Sequence, residues 1–411
     1  MHKLTVKNNK SLQEYLFWVS FSLYIIFTTL AYTFFLPYYE GAIYKLILLF
    51  CMLCLVIREI SLDFFSSKLL IPFVLCLLVA AIFAKNAPQI MYIAIPMYIF
   101  SARNISFHKI ALVTAYIQAV ILAVVVICSQ IGLLTDYFEM WFGRTRHYLG
   151  FYYSLYGPTL LYNIIALYLY AKGREVKWYM YVFLSAADYL LYKLTDSRLT
   201  FITSMLLIVI SLLYRFFPKV NQKLGIINWI CVAAFPICGI GSIILTSKYK
   251  PFGYMKRLNS FLGDRLYYGY NSLRRYGVSF LGQKINWIGN GLRADGTSSS
   301  LVRTYVDNLY QQDLQRYGLL FFITALVVLT VFSYKCYKKK DSLMLYILAL
   351  AAVHAILDDL VFFICFNTFW LAIIPVIHPE LSSAAVTSGI KNRRTECILP
   401  DNYQNYRNII E

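Results

Sequence analysis

Between Ser247 and Arg316 the chain carries eleven lysines and arginines, namely Lys248, Lys250, Lys256, Arg257, Arg265, Arg274, Arg275, Lys284, Arg293, Arg303 and Arg316, against Asp264, Asp295, Asp307 and Asp313. Tyr249, Tyr254, Tyr267, Tyr268, Tyr270, Tyr276 and Tyr305 are interleaved with them. Guanidinium groups offer paired donors to phosphate, and flat rings pack on sugar faces. The chemistry this spacing suits is recognition of an anionic, glycosylated lipid.

Two shorter constellations could join it. Arg144, Arg146 and His147 precede Gly157 and Pro158, so Arg146 and His147 would stand beside a helix N-terminus whose free N–H groups favour anions. Thr195, Asp196, Ser197 and Arg198 form a short turn, in which Asp196 or Ser197 is expected to cap the following helix and Arg198 to add a second guanidinium. Within the polar segment, Lys256, Arg257, Asp264, Arg265, Arg274 and Arg275 alternate with Leu258, Phe261, Leu262, Leu266, Leu273 and Phe280 at a spacing that predicts an amphipathic helix at the interface. Residues 304–317 read as a helix leading into the next apolar run. His354, Asp358, Asp359 and Asp188 lie in or beside apolar runs, as a proton relay or a paired structural site. The sequence shows no Gly-rich phosphate loop, Ser-His-Asp set or metal-ligand spacing, and none of the nine cysteines lies in the polar segment, so neither metal nor cofactor is expected.

These residues need elements to hold them. Of the 411 residues, 60% are hydrophobic, in runs far longer than an aqueous core requires. Because backbone polar groups find no water in hydrocarbon, the fold class expected is all-α, a polytopic integral membrane protein. About twelve apolar runs end near residue 377, which divides the chain into spans one to nine (1–246), an extracytoplasmic loop with short helices (247–316), spans ten to twelve (317–377) and a polar tail (378–411). The net charge of +18 would suggest nucleic acid in a soluble protein. Here most cations sit in short turns, so no nucleic-acid partner is expected. Placing the N-terminus inside puts seventeen lysines and arginines in cytosolic turns against six in short outer ones, and the Lys335–Lys340 cluster then forces the long loop outside.

The stretch from Asp307 and Asn308 through Leu309, Tyr310 and Tyr317 to Gly318 resembles the histidine-asparagine, tyrosine, leucine, glycine signature that ends the large outer loop in the O-antigen ligase and polymerase superfamily. The ten residues separating Arg146 from Gly157 are similar to the Arg-x10-Gly element of the O-antigen and capsular polysaccharide polymerases, and the Thr-Asp-Ser-Arg turn is similar to one in capsule polymerases. Two departures stand out: Asp307 occupies the ligase histidine position, which favours polymerase over ligase, and Gly277 follows Arg265 one residue beyond the ten-residue spacing. The resemblance implies a glycosyltransferase of the bacterial cytoplasmic membrane with both termini cytosolic. It would join repeat units carried on undecaprenyl pyrophosphate at the outer face, with a flippase and a chain-length regulator as partners. The alternatives are an O-antigen-type ligase and a polysaccharide or lipid transporter. The resemblance implies Asp307, Arg265 and Arg146 as catalytic, with Asp264 and His147 as alternative bases. Arg198, Arg257, Arg274, Arg275, Tyr310 and His147 would bind substrate. Reporter fusions within 247–316 are expected to read as extracytoplasmic; a cytoplasmic reading would reverse the topology.

Overall fold

The computed structural model of the chain describes residues 2–61, 67–141, 144–217, 225–293, 295–297 and 301–379. The tail expected over 378–411 therefore lies, beyond residue 379, outside the described residues. The helices are α1 (His2–Leu30), α2 (Ala42–Ser61), α3 (Ser67–Asn86), α4 (Ile90–Ser101), α5 (Phe107–Gln130), α6 (Tyr156–Lys172), α7 (Trp178–Thr195) and α8 (Arg198–Phe216). They continue as α9 (Gly225–Val232), α10 (Ala234–Ser247), α11 (Gly253–Phe261), α12 (Arg265–Tyr276), α13 (Leu309–Gln312), α14 (Gly318–Lys338), α15 (Ser342–His354) and α16 (Ile373–Ile377).

The molecule is mostly helical, with one departure from an all-α fold. Strands β1 (Phe138–Trp141) and β2 (Arg144–His147) pair antiparallel, with Arg146 opposite Glu139. Arg146 is thus presented by a strand and not by the approach to a helix.

Four helical stretches are long and apolar enough to cross a bilayer: Leu69–Asn86, Phe107–Gln130, Arg198–Phe216 and Leu309–Lys338. A fifth is the pair α9 and α10, bent by 59°. The sequence predicts one straight span there, over 226–246. Pro236 accounts for the bend, since it has no N–H to give the Val232 carbonyl and its ring crowds that group. The twelve straight spans expected from the apolar runs are not seen among the described residues.

The largest difference lies near the C-terminal end of the bundle. The run over 360–377, expected as a span, is broken into short 3-10 turns at Leu360–Phe362 and Thr368–Ala372 followed by the five-residue α16. Residues 363–372 are buried throughout. Irregular backbone in an apolar interior is tolerated only where its polar groups find partners. Here α5 and α6 supply them: Gln118 Nε2 donates to the Cys365 carbonyl at 2.6 Å, and Asn163 Nδ2 reaches the same oxygen at 3.3 Å. Asn163 Nδ2 also donates to Gln118 Oε1 at 2.9 Å, and its Oδ1 accepts the Thr368 N–H at 3.2 Å. Asn367 and Thr368 favour the break, because their side chains bond nearby backbone in competition with the helical ladder: Asn367 Oδ1 accepts the Phe369 N–H at 3.3 Å, and Thr368 Oγ1 donates to the Ile364 carbonyl at 2.9 Å.

The polar segment folds as two short helices, α11 and α12, joined at a sharp corner, and not as one continuous amphipathic helix. Asp264 sits at the corner with φ +63°, its Oδ1 accepting from Asn259 Nδ2 at 2.7 Å. α12 then lies against α10 and α13, where Gln311 Nε2 donates to the Gly269 carbonyl at 2.7 Å. A Cβ at Gly269 would come within 2.5 Å of Gln311 Oε1 and 2.7 Å of Thr246, so glycine is needed for that approach. Residues 304–308 carry no regular secondary structure, the helix starts only at Leu309, and a π turn occupies Asp313–Tyr317 before α14. Asp307 therefore precedes the helix that was expected to contain it.

Asn163→Ala would leave Gln118 Oε1 and the Thr368 N–H without their partner in an apolar interior. We expect a loss of about 2 kcal/mol, read as a lowered unfolding midpoint of the detergent-solubilised protein. An unchanged midpoint would mean that the broken segment does not depend on this clamp.

Candidate functional site at the loop–bundle junction

The broken segment just after α15 is the anchor of the site. The Ala355 carbonyl accepts the Leu309 N–H at 2.9 Å, and the Leu357 carbonyl accepts Arg265 Nε at 2.8 Å. Asn308 caps α13 by accepting the Gln311 N–H at 3.2 Å, which fixes the backbone immediately after Asp307.

Two guanidinium groups converge on one carboxylate, and a third acts on the tyrosine beside them. Arg265 opens α12, gives Nη1 to the Leu262 carbonyl at 2.9 Å and holds Nη2 3.9 Å from Asp307 Oδ2. Arg303, one helical turn's spacing before Asp307, pairs with the same oxygen and lies over the Tyr268 ring at 4.8 Å. Arg146 reaches the end of α7, donating Nε to the Thr195 carbonyl at 3.3 Å. Tyr153 lies within electrostatic reach of all four charged groups. Burial raises its hydroxyl above the ordinary tyrosine range; Asp307 adds to the rise, and Arg146, Arg303 and Arg265 oppose it. Side-chain exposure of 17% for Arg265, 20% for Arg303 and 15% for Asp307 leaves the pairs mostly dry yet reachable from the loop side. A mouth with three cations and one anion, partly desolvated, is suited to binding a multiply charged anion.

A second layer lies behind it. Asp359 Oδ2 accepts the Tyr305 hydroxyl at 2.5 Å. Asp358 accepts Thr159 Oγ1 at 3.1 Å and stands 3.6 Å from His354 Nε2. Burial pushes the Asp359 carboxyl up to about 7, with Asp358 and Asp307 adding to it; the Tyr305 hydrogen bond and Arg316 pull the other way. Arg316 itself lies over the Trp287 ring at 4.6 Å and has no carboxylate within 4 Å among the described residues.

Of the residues singled out from the sequence, Arg265 and Asp307 are brought together, while Arg146 bonds to the end of α7 and shares with them only its electrostatic influence on Tyr153. His147 turns instead to Asp136 at 2.7 Å, and Asp264 is held by Asn259. Arg198 is half-exposed and pairs with Asp196 at 3.2 Å; Ser197 stands at the N-cap position of α8 but makes no capping side-chain bond, its Oγ being joined to Thr195 Oγ1 at 2.8 Å. Arg257, Arg274 and Arg275 are exposed, the last two lying over Tyr270 and Tyr276 of their own helix. Tyr310 is buried and donates its hydroxyl to the Ala352 carbonyl at 2.8 Å, so its ring packs inside the bundle and not toward Asp307 and its arginines. Gly277, with φ +63°, is the residue that ends α12, so its distance from Arg265 equals the length of that helix.

Tyr305 was expected among the loop tyrosines to pack on sugar, whereas Arg303 was named only as one of the loop cations, and Tyr153 and Tyr156 were not singled out for the site from the sequence. For Arg303 a signal existed, the four-residue spacing to Asp307. Tyr153 and Tyr156 carry none, because 36 tyrosines are spread through the chain. Among the described residues no group of three or more His, Cys, Asp or Glu side chains has metal-binding proximity. Comparison with known protein families, curated proteins and solved structures gave no match to this chain.

Removing Asp307 leaves two guanidinium groups facing each other without their carboxylate. Asp307→Ala is expected to cost about 3 kcal/mol of stability. Combined with Arg303→Ala, the loss should fall short of the sum of the single losses by about 1 kcal/mol. Strict additivity in thermal unfolding would show that the pair carries no coupling energy.

Proposed function

We propose that this protein is a membrane glycosyltransferase that polymerises oligosaccharide repeat units carried on undecaprenyl pyrophosphate, at the outer face of a bacterial cytoplasmic membrane. The observation that carries this reading is the convergence of Arg265 and Arg303 on Asp307, with Arg146 close by, where the polar loop meets the bundle. In keeping with it, the spans number about twelve, with both termini cytosolic and the 247–316 loop outside, as the cation distribution favours.

The reaction needs a diphosphate leaving group stabilised and a proton removed from an acceptor hydroxyl. In the resting site the Asp307 carboxylate is occupied by Arg265 and Arg303. A diphosphate entering the mouth competes for both guanidinium groups and offers them more charge. As they turn to it, Asp307 is freed as the general base. The bond between the donor sugar's anomeric carbon and the diphosphate oxygen breaks, its electron pair staying with the diphosphate under Arg146, Arg265 and Arg303. The acceptor oxygen bonds to that carbon, and its proton passes to Asp307. Fixed donors in a partly dry site stabilise the developing charge without reorganisation.

A lipid transporter is the second reading, because the bend between α9 and α10 and the irregular stretch after α15 are features that transporters place at their binding sites. A strain lacking the protein separates the two. Single repeat units on their carrier at the outer face support polymerisation, whereas units retained at the inner face support transport. Arg146→Ala and Arg265→Ala are each expected to lower polymer formation by about 100-fold at unchanged protein level. Normal chain lengths in both variants would remove the proposed mechanism.

A further inference from the structure

Exposed Ile237, Ile240 and Ile244 fall at i, i+3 and i+7 of α10, one apolar stripe on the bent spanning pair, and α11 begins where that stripe ends. Residues 248–252 join the two helices. This link is folded: Tyr249 gives its N–H to the Thr246 carbonyl at 3.1 Å, Phe252 gives its own to the Lys250 carbonyl at 2.9 Å, and Tyr249 is buried. On α11, Tyr254, Arg257 and Phe261 repeat the spacing of the stripe on one face, with Lys256 beside it, all four exposed. Tyr254 and Phe261 are each 74% exposed, and Phe252 just before them is 66% exposed. Among the described residues no carboxylate lies within 4 Å of Lys250, Lys256 or Arg257.

The face is held in this outward direction by Asn259, which fixes the corner with α12. Its Nδ2 donates to Asp264 Oδ1 at 2.7 Å, its Oδ1 accepts the Tyr267 N–H at 2.9 Å, and its carbonyl accepts the Asp264 N–H at 2.9 Å. Exposed rings and unpaired cations together, at the end of a span, match the boundary between acyl chains and headgroups: rings settle at headgroup depth and cations meet phosphate. A soluble partner would have to displace lipid from the place where the α10 stripe enters the bilayer.

We propose that α11 docks on the phosphate groups of anionic phospholipids in the leaflet beside the end of α10. Phe252, Tyr254 and Phe261 enter the headgroup layer, and Lys250, Lys256 and Arg257 hold the phosphates. Arg265 opens α12 directly after the corner, so the docked helix sets the level of the candidate site against that leaflet. The inference makes no use of the polymerase reading, and its test needs no turnover.

The test uses the full-length protein in nanodiscs of phosphatidylcholine with and without phosphatidylglycerol. Ser260, exposed on α11, is replaced (Ser260→Cys) and labelled with a polarity-sensitive fluorophore; the wild type taken through the same labelling gives the background of the natural cysteines. Phosphatidylglycerol should move the emission to shorter wavelength and let a lipid with a nitroxide on its headgroup quench it, and added salt should reverse both. Lys256→Ala should raise the phosphatidylglycerol fraction that gives half of the shift by about fivefold, whereas Lys256→Arg should leave it unchanged. The same signal with and without phosphatidylglycerol, no quenching in either nanodisc, or no effect of salt overturns the proposal, whether or not the alanine variant folds. Inorganic phosphate that reproduces the shift in phosphatidylcholine nanodiscs marks a free-anion site and overturns it. A shift in detergent that grows with protein concentration marks contact between copies and overturns it as well.

Discussion

A buried backbone that is neither helix nor sheet must have each of its carbonyl and amide groups paired, and in this protein the stretch from Ala355 to Thr368 imposes that demand. Gln118 and Asn163 meet it from α5 and α6. What the stretch offers in return is a set of free carbonyls and carboxylates at the loop side of the bundle: Ala355 and Leu357 hold the backbone before α13 and the side chain of Arg265, while Asp358 and Asp359 take Thr159 and Tyr305. A regular helix over the same residues would have consumed those carbonyls in its own ladder, leaving nothing to grip the loop.

The loop is therefore fastened at both ends of its functional half. α12 is glued to α13 through Gln311 and to the π turn through Gln315, whose side chains reach Gly269 and Ser272, and Trp287 adds a bond to Ser272 Oγ at 3.0 Å. Gln315 and Tyr317 of the π turn are buried. The result is a rigid polar lining whose guanidinium groups are preorganised. For the proposed reaction that rigidity would matter more than their number, since donors already in place cost nothing to reorient as charge develops. The exposed Arg274 and Arg275, for all their charge, sit on the solvent face of α12, where water screens them.

Some of this was legible from residue order. The apolar runs of α5, α8 and α14 announce themselves through length alone, and the cation-rich interval after Ser247 marks the polar loop. Arg265 and Asp307 lie 42 residues apart and nonetheless meet; motif spacing suggested them, but no local signal says that Asp264 and His147 are diverted to Asn259 and Asp136. The run over 360–377 was misleading because hydropathy averages over a window. A single Asn367–Thr368 step, read together with polar partners two hundred residues away on α6, is enough to break the helix.

Composition determined that this chain must satisfy its backbone internally and so is largely helical, because hydrocarbon offers no substitute for water as a hydrogen-bond partner. It also determined where charge would be plentiful. Which guanidinium groups share a carboxylate, and which aspartates of the described residues are left without a cation, were decided by tertiary structure alone. Those outcomes depend on distances between segments far apart in the chain, and electrostatic energy in a dry site changes steeply over a few ångströms that no spacing along the sequence encodes.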